Sequence, residues 1–132
     1  MLQSDAVPTA IRPSTSASPP PRDARGREID LAKLRPLLDQ IIAAWRPDQI
    51  WLFGSRARGE AEDVSDWDLF AVVPDDLPDA DLDPMAAWKL RRAARIRADI
   101  IPCHRSDFRT GRNTPNTIAY DVDREGVLIY ER

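Results

Sequence analysis

Residues 50–59 read IWLFGSRARG, a short apolar run that stops at Gly54 and is followed by a serine and two arginines. Four consecutive apolar residues predict a short strand that is buried on both faces. A helical turn starting at Ser55 would present free backbone N–H groups, and the positive end of its peptide dipoles, to an anion. Gly54 would let a phosphate approach the backbone, and Ser55 would add a hydroxyl donor. An ordinary tight turn has the same appearance, so the motif needs a partner elsewhere in the chain.

The next motif is SDWDL, residues 65–69, at the start of a second apolar run that ends at Val73. In a strand, residues two apart point to the same face at about 6.5 to 7 Å, so Asp66 and Asp68 would project together. Two unpaired carboxylates this close repel each other unless a cation lies between them. Oxygen ligands favour Mg²⁺, or Mn²⁺, over zinc. The alternative is a solvated strand start without a metal.

Asp99 is an acid within the apolar sequence ADII, residues 98–101, which predicts a further strand. On a strand beside the first pair, Asp99 would complete a cluster of three carboxylates able to hold two metal ions about 3.5 to 4 Å apart. Its alternative is a strand residue that faces water.

The order of predicted helices and strands along the chain predicts a small α/β domain with a mixed sheet and helices packed mainly on one face. Apolar residues spaced by three or four predict a first helix that ends before Pro47 and that either begins near Pro36 or is kinked there in its first turns. Thr114 as N-cap and Pro115 at the first helical position predict the start of the last helix. The predicted elements are a helix at 31–45, strands at 50–53 and 67–73, a helix at 85–94, a strand at 96–103, a helix at 114–124 and a strand at 127–130.

The first 27 residues are rich in Pro and Ser and carry almost no bulky apolar side chains. This composition predicts a disordered tail at 1–27 and one folded domain at 28–132. A transit peptide is the alternative for the tail, but its prolines oppose an amphipathic helix.

Charge and cysteine usage narrow the class of protein. A net charge of −3 gives no electrostatic drive toward nucleic acid or anionic membranes. The single cysteine, Cys103, excludes an internal disulfide and cannot by itself hold a structural zinc. No apolar stretch is long enough to span a membrane, and the N-terminus has no apolar segment typical of a secretory signal, so we expect a cytoplasmic protein.

Together, Gly54-Ser55, Asp66-Trp67-Asp68 and Asp99 resemble the motif of the minimal nucleotidyltransferases in the DNA polymerase beta superfamily. The resemblance extends over residues 28–132 and includes the ending at 124–131, which is similar to the last strand of many such domains. It implies a polymerase beta-like nucleotidyltransferase fold. It also implies transfer of a nucleoside monophosphate from an NTP to an acceptor hydroxyl, with release of pyrophosphate.

The resemblance also implies roles for single residues. Asp66 and Asp68 would hold metal on the triphosphate, and Asp99 would bind a second metal ion and lower the pKa of the acceptor hydroxyl. The turn at Gly54-Ser55 would grip phosphates, and Arg56 and Arg58 are candidates for phosphate contact, although both suit a solvated loop equally well.

Small members of this family are often antitoxins that add AMP to a partner toxin, frequently a ribonuclease of the HEPN type. We therefore expect ATP as the NTP and a protein as the acceptor. A non-catalytic module that neutralises a partner by contact is the alternative. A template-directed polymerase ranks last, because the chain lacks the basic groove that a template requires.

Overall fold

A four-stranded mixed sheet organises the part of the chain that the computed structural model describes, residues 20–62 and 65–132. Its strands are β1 (Gln49–Phe53), β2 (Trp67–Val73), β3 (Ala98–His104) and β4 (Val127–Glu131). Their order in the sheet is β3-β2-β1-β4. β1 is antiparallel to both β2 and β4, whereas β2 and β3 are parallel. The predicted mixed sheet is thereby confirmed.

The two longest helices, α1 (Arg35–Trp45) and α3 (Pro84–Ala94), pack on one face of this sheet. They cover side chains that alternate along the strands, so Leu52 and Leu69 are fully buried. The shorter helices α4 (Arg105–Gly111) and α5 (Ile118–Glu125) contribute a second cluster on the opposite face, where Phe108 meets Phe70. No helix in the described residues is long and apolar enough to cross a membrane.

The first helix starts where Pro36 predicts, since Pro occupies its second position and needs no intrahelical N–H donor there. It ends at Trp45, and Arg46 follows in the left-handed conformation (φ 44°) before Pro47. β3 continues through Pro102, which the sequence placed near the end of the strand. An edge strand tolerates this proline because one side of its backbone pairs with no neighbouring strand.

The predicted helix at 114–124 is wrong at its start. α5 begins at Ile118, and its N-cap is Thr117, whose hydroxyl accepts the N–H of Tyr120 at 3.1 Å. Thr114 instead donates its hydroxyl to the carbonyl of Thr110 at 2.9 Å and so closes the end of α4. Thr117, three residues after the predicted cap Thr114, is the residue that caps α5 in the structure.

Replacing Thr117 with Ala should lower the free energy of unfolding by about 1 kcal/mol, because the first turn of α5 loses its side-chain cap. Thr114→Ala is the matched control and should cost less, since its hydroxyl does not cap α5. Chemical denaturation of both variants measures the difference. Equal losses would mean that Thr117 does not act as the cap.

The predicted tail also needs correction at its end. Residues 20–27 are ordered against the domain: Arg22 and Glu28 form an antiparallel bridge, and the N–H of Ala24 donates to the carbonyl of Ala57 at 2.8 Å. Hydrogen bonds to a neighbouring element, which composition does not reveal, order this part. The rest of the predicted tail, residues 1–19, lies outside the described residues.

Candidate active site

The strand register brings the predicted acids to one place. Asp68 is the direct partner of Asp99 in the parallel pair of β2 and β3, and Phe53 at the end of β1 is its antiparallel partner on the other side. Register partners in neighbouring strands share a face of the sheet and lie about 4.8 Å apart. Asp66 lies two residues before Asp68, immediately ahead of β2. The acids therefore occupy one edge of the α4 and α5 face.

The electrostatics of Asp68 reflect this arrangement. Burial raises the pKa of the Asp68 carboxyl, and repulsion from Asp99 and then Asp66 raises it further. The positive charge of Arg58 opposes these effects. The carboxylates of Asp66 and Asp99 thus repel the ionised form of Asp68, which is less favourable there unless a cation balances its charge.

Gly54 lies directly against this carboxylate. Its backbone has φ 75° and ψ −153°, a conformation that is essentially restricted to glycine. A Cβ at this position would overlap Oδ2 of Asp68 and lie 3.1 Å from its Cγ. The four-residue helix α2 (Ser55–Arg58) starts immediately afterwards, so the turn predicted to grip phosphates adjoins the half-buried Asp68. Gly54 is therefore needed for the approach of the Asp68 side chain as well as for the turn.

The two arginines of this turn have different surroundings. Arg56 donates to the carbonyl of Ser65 at 2.6 Å, and its guanidinium lies 4.0 Å from the centre of the Trp67 ring. These contacts tie the loop that leads to Asp66 and favour a structural role for Arg56. Arg58 pairs with Glu60 at 2.7 Å and lies within electrostatic range of Asp68.

Two further arginines reach the acids from outside the predicted motif. Arg97 Nε lies 3.1 Å from Asp66 Oδ1, and Arg91 Nη1 lies 3.9 Å from Asp99 Oδ1. Arg91 also donates to the carbonyl of Ala98 at 2.9 Å, and its buried Nε has no hydrogen-bond partner in the part of the chain that the structure describes. The sequence shows these arginines only as part of a basic run, which is usual for a solvated helix face. The sequence gives no local signal for these pairs, since Arg97 contacts Asp66, which lies far from it along the chain.

The chemistry of the donors fits a hard divalent cation, since three carboxylates supply only oxygen and repel each other. The three carboxylate side chains do not, however, converge on one point where a metal ion could bind. In the described residues, no three His, Cys, Asp or Glu side chains lie together closely enough to hold a metal ion. Asp66 and Asp99 are instead each turned toward an arginine. The strand register thus brings the three acids to one edge of the sheet, while the side chains of Asp66 and Asp99 face arginines.

A groove of about 430 Å³ lies beside the acids and includes Asp68, Asp99 and Arg91 in its wall. The rest of its lining is largely apolar and comes from β1, β3 and the start of α3: Phe53, Leu82, Pro84, Ala87, Ile100, Ile101 and Pro102. Such a surface suits a flat or apolar part of a substrate held next to the carboxylates.

The family of this chain follows from comparison with known proteins. A solved structure of a candidate nucleotidyltransferase from Sulfolobus solfataricus is similar over 76% of this chain and 84% of its own, with 22% identity and a TM-score of 0.47. No curated protein sequence matches the chain. The family model for polymerase beta nucleotidyltransferases matches residues 37–132. These residues contain both strands that carry the acids, and the chain therefore belongs to the polymerase beta nucleotidyltransferase family.

Proposed function

We propose that this protein is a cytoplasmic, metal-dependent enzyme that transfers AMP from ATP to an acceptor hydroxyl and releases pyrophosphate. The pairing of Asp68 with Asp99 on neighbouring parallel strands, with Asp66 two residues away, is the observation that carries the proposal. Family membership supplies the class of reaction.

The three acids would have different roles because they occupy different positions in the site. Asp66 and Asp68 would hold Mg²⁺ or Mn²⁺ on the triphosphate, and Asp99 would hold the metal on the side of the acceptor. When bound, the metal neutralises phosphate charge and lowers the pKa of the acceptor hydroxyl. Arg91 and Arg97, which pair with two of these acids, would be released toward the phosphates as the metal takes their place.

The turn at Gly54 and Ser55 would hold the outer phosphates, with Arg58 as the nearer cation. The acceptor oxygen would attack the α-phosphorus in line as the bond to the β-phosphate oxygen breaks, and the hydroxyl proton would leave for water. Pyrophosphate carries away the electron pair of the broken bond. Arg56 would keep the loop before Asp66 in place rather than contact phosphate.

For the acceptor we propose a hydroxyl on a partner protein, with a toxin of the HEPN type as the first candidate. The apolar groove beside Asp99 suits an inserted side chain better than a charged polymer. A module that neutralises its partner by contact alone is the second candidate. It gains support from the arginine pairs, which give Asp66 and Asp99 each a positive partner without a metal.

The test is incubation with ATP, GTP, CTP or UTP labelled at the α-phosphate, with Mg²⁺ or Mn²⁺. The acceptors are the protein itself and the product of a neighbouring gene. We expect label from ATP in a protein acceptor and its loss when EDTA removes the metal, because the carboxylates repel the triphosphate without it. The same reactions with label at the γ-phosphate are the control and should transfer nothing. Absence of transfer, together with absence of metal-dependent NTP binding in calorimetry, would contradict the proposed enzyme. The module that neutralises its partner by contact would then remain as the candidate function.

A further inference from the structure

Residues 21–29, here called the N-terminal strap, lie against the end of α2 away from Gly54. The N–H of Ala24 donates to the carbonyl of Ala57 at 2.8 Å, and the Arg27 guanidinium donates to the carbonyl of Gly59. The strap is fixed at its other end by Ile29, which is buried in the main core. The last carbonyls of a helix have no partner within it, so the strap satisfies one of them, on Ala57, and also the carbonyl of the C-cap residue Gly59.

The strap has its own internal order. Asp23, whose side chain is only 9% exposed, accepts the N–H groups of Arg25 at 2.8 Å and Arg27 at 3.1 Å. Its second oxygen lies 3.4 Å from Nε of Arg27. The side chain of Arg27 is therefore held at both ends, by Asp23 through Nε and by Gly59 through Nη2.

Contact between the strap and the turn is close. Gly59 has φ 76°, and a Cβ there would lie 3.0 Å from Cγ of Arg25 and 3.1 Å from Nη2 of Arg27. The intervening helix has only four residues and cannot be stable by itself. Contacts that fix the C-terminal end of α2 therefore also limit the position of Gly54, which lies against the Asp68 carboxylate.

We propose that Arg27 is a positioning residue, which acts through Gly59 to hold the turn from Gly54 to Gly59 against Asp68. This inference rests on the proposed function for its consequence, namely that a loosened turn binds the NTP more weakly. The contact between Arg27 and Gly59 is seen in the structure and does not depend on that function.

The experiment compares Arg27→Met, which keeps the apolar stem but removes the guanidinium, with Arg22→Met. Arg22 is the matched control because, among the described residues, its guanidinium bonds within the strap, to the carbonyl of Gly26 and to Glu28. Hydrogen exchange without nucleotide follows the amides of residues 57–60, which close the turn by bonding to Gly54 and Ser55. We expect exchange there to be about tenfold faster in Arg27→Met and unchanged in Arg22→Met, since a bond from a charged donor is lost.

Kinetics give the second measurement. Arg27→Met should raise KM for the NTP by about tenfold and largely keep kcat, whereas general destabilisation would lower the active fraction and leave KM unchanged. Arg27→Lys, which keeps the charge and one donor, should recover part of the loss. Equal exchange at residues 57–60 in Arg27→Met and Arg22→Met would overturn the proposal. A wild-type protein that binds no NTP would overturn the proposed function, but the exchange comparison would still decide whether Arg27 holds the turn.

Discussion

Asp68→Asn should lower the rate of nucleotide transfer by about 10³-fold or more, since the metal's several kcal/mol of transition-state stabilisation depend on this ligand. Repulsion from the other two carboxylates raises the pKa of Asp68, and Gly54 lies directly against its side chain. The amide keeps the shape of the side chain but removes the negative charge. Initial rates with labelled ATP, at saturating Mg²⁺, measure the loss.

Asp121→Asn is the matched control, because this exposed aspartate lies in the first turn of α5 and is not among the described charges that shift the pKa of Asp68. It should transfer at the wild-type rate. In chelator-treated buffer, Asp68→Asn should be at least as stable as the wild type, since it removes repulsion from Asp99 and Asp66. Transfer within tenfold of wild type by Asp68→Asn would contradict the assigned role.

The sequence was informative where a pattern is local. Apolar runs closed by Gly54 and Pro74 predicted β1 and β2, and the alternation of Asp66, Trp67 and Asp68 assigned the acids to one face. The register that pairs Asp68 with Asp99 was only an expectation, because pairing between strands depends on contacts distant in the chain.

Other features had no local signal. α4 has a single buried residue, Phe108, and so no amphipathic period to recognise. The ordered strap depends on carbonyls of α2, and the pairing of Arg91 and Arg97 with the acids depends on where α3 ends relative to β3. Each of these requires the assembled fold, because the same residues would be ordinary surface charges in another arrangement.

Gly54→Ala should lower both stability and activity. The backbone conformation at this position should cost about 1 to 3 kcal/mol of unfolding free energy for any residue with a Cβ. The added methyl group would also displace the Asp68 carboxylate, whose Oδ2 occupies its place. Because misplacement of a reacting group by about 1 Å can cost 10²-fold, we expect a loss of transfer of about that size even where the variant is fully folded. Denaturation and initial rates measure the two effects.

Gly26→Ala separates the two causes of the instability. Gly26 also has a positive φ, 79°, but a Cβ there would meet no atom within 4 Å. Its cost reports a positive φ without a clash, whereas the excess in Gly54→Ala combines the contact with Asp68 and the strain of its own ψ of −153°. In an Asp68→Ala background, which removes the overlapping oxygen, the part due to the contact should disappear while the backbone cost stays. If Gly54→Ala costs the same with and without the Asp68 carboxylate, the glycine serves the turn only, and its approach to Asp68 is not what requires it.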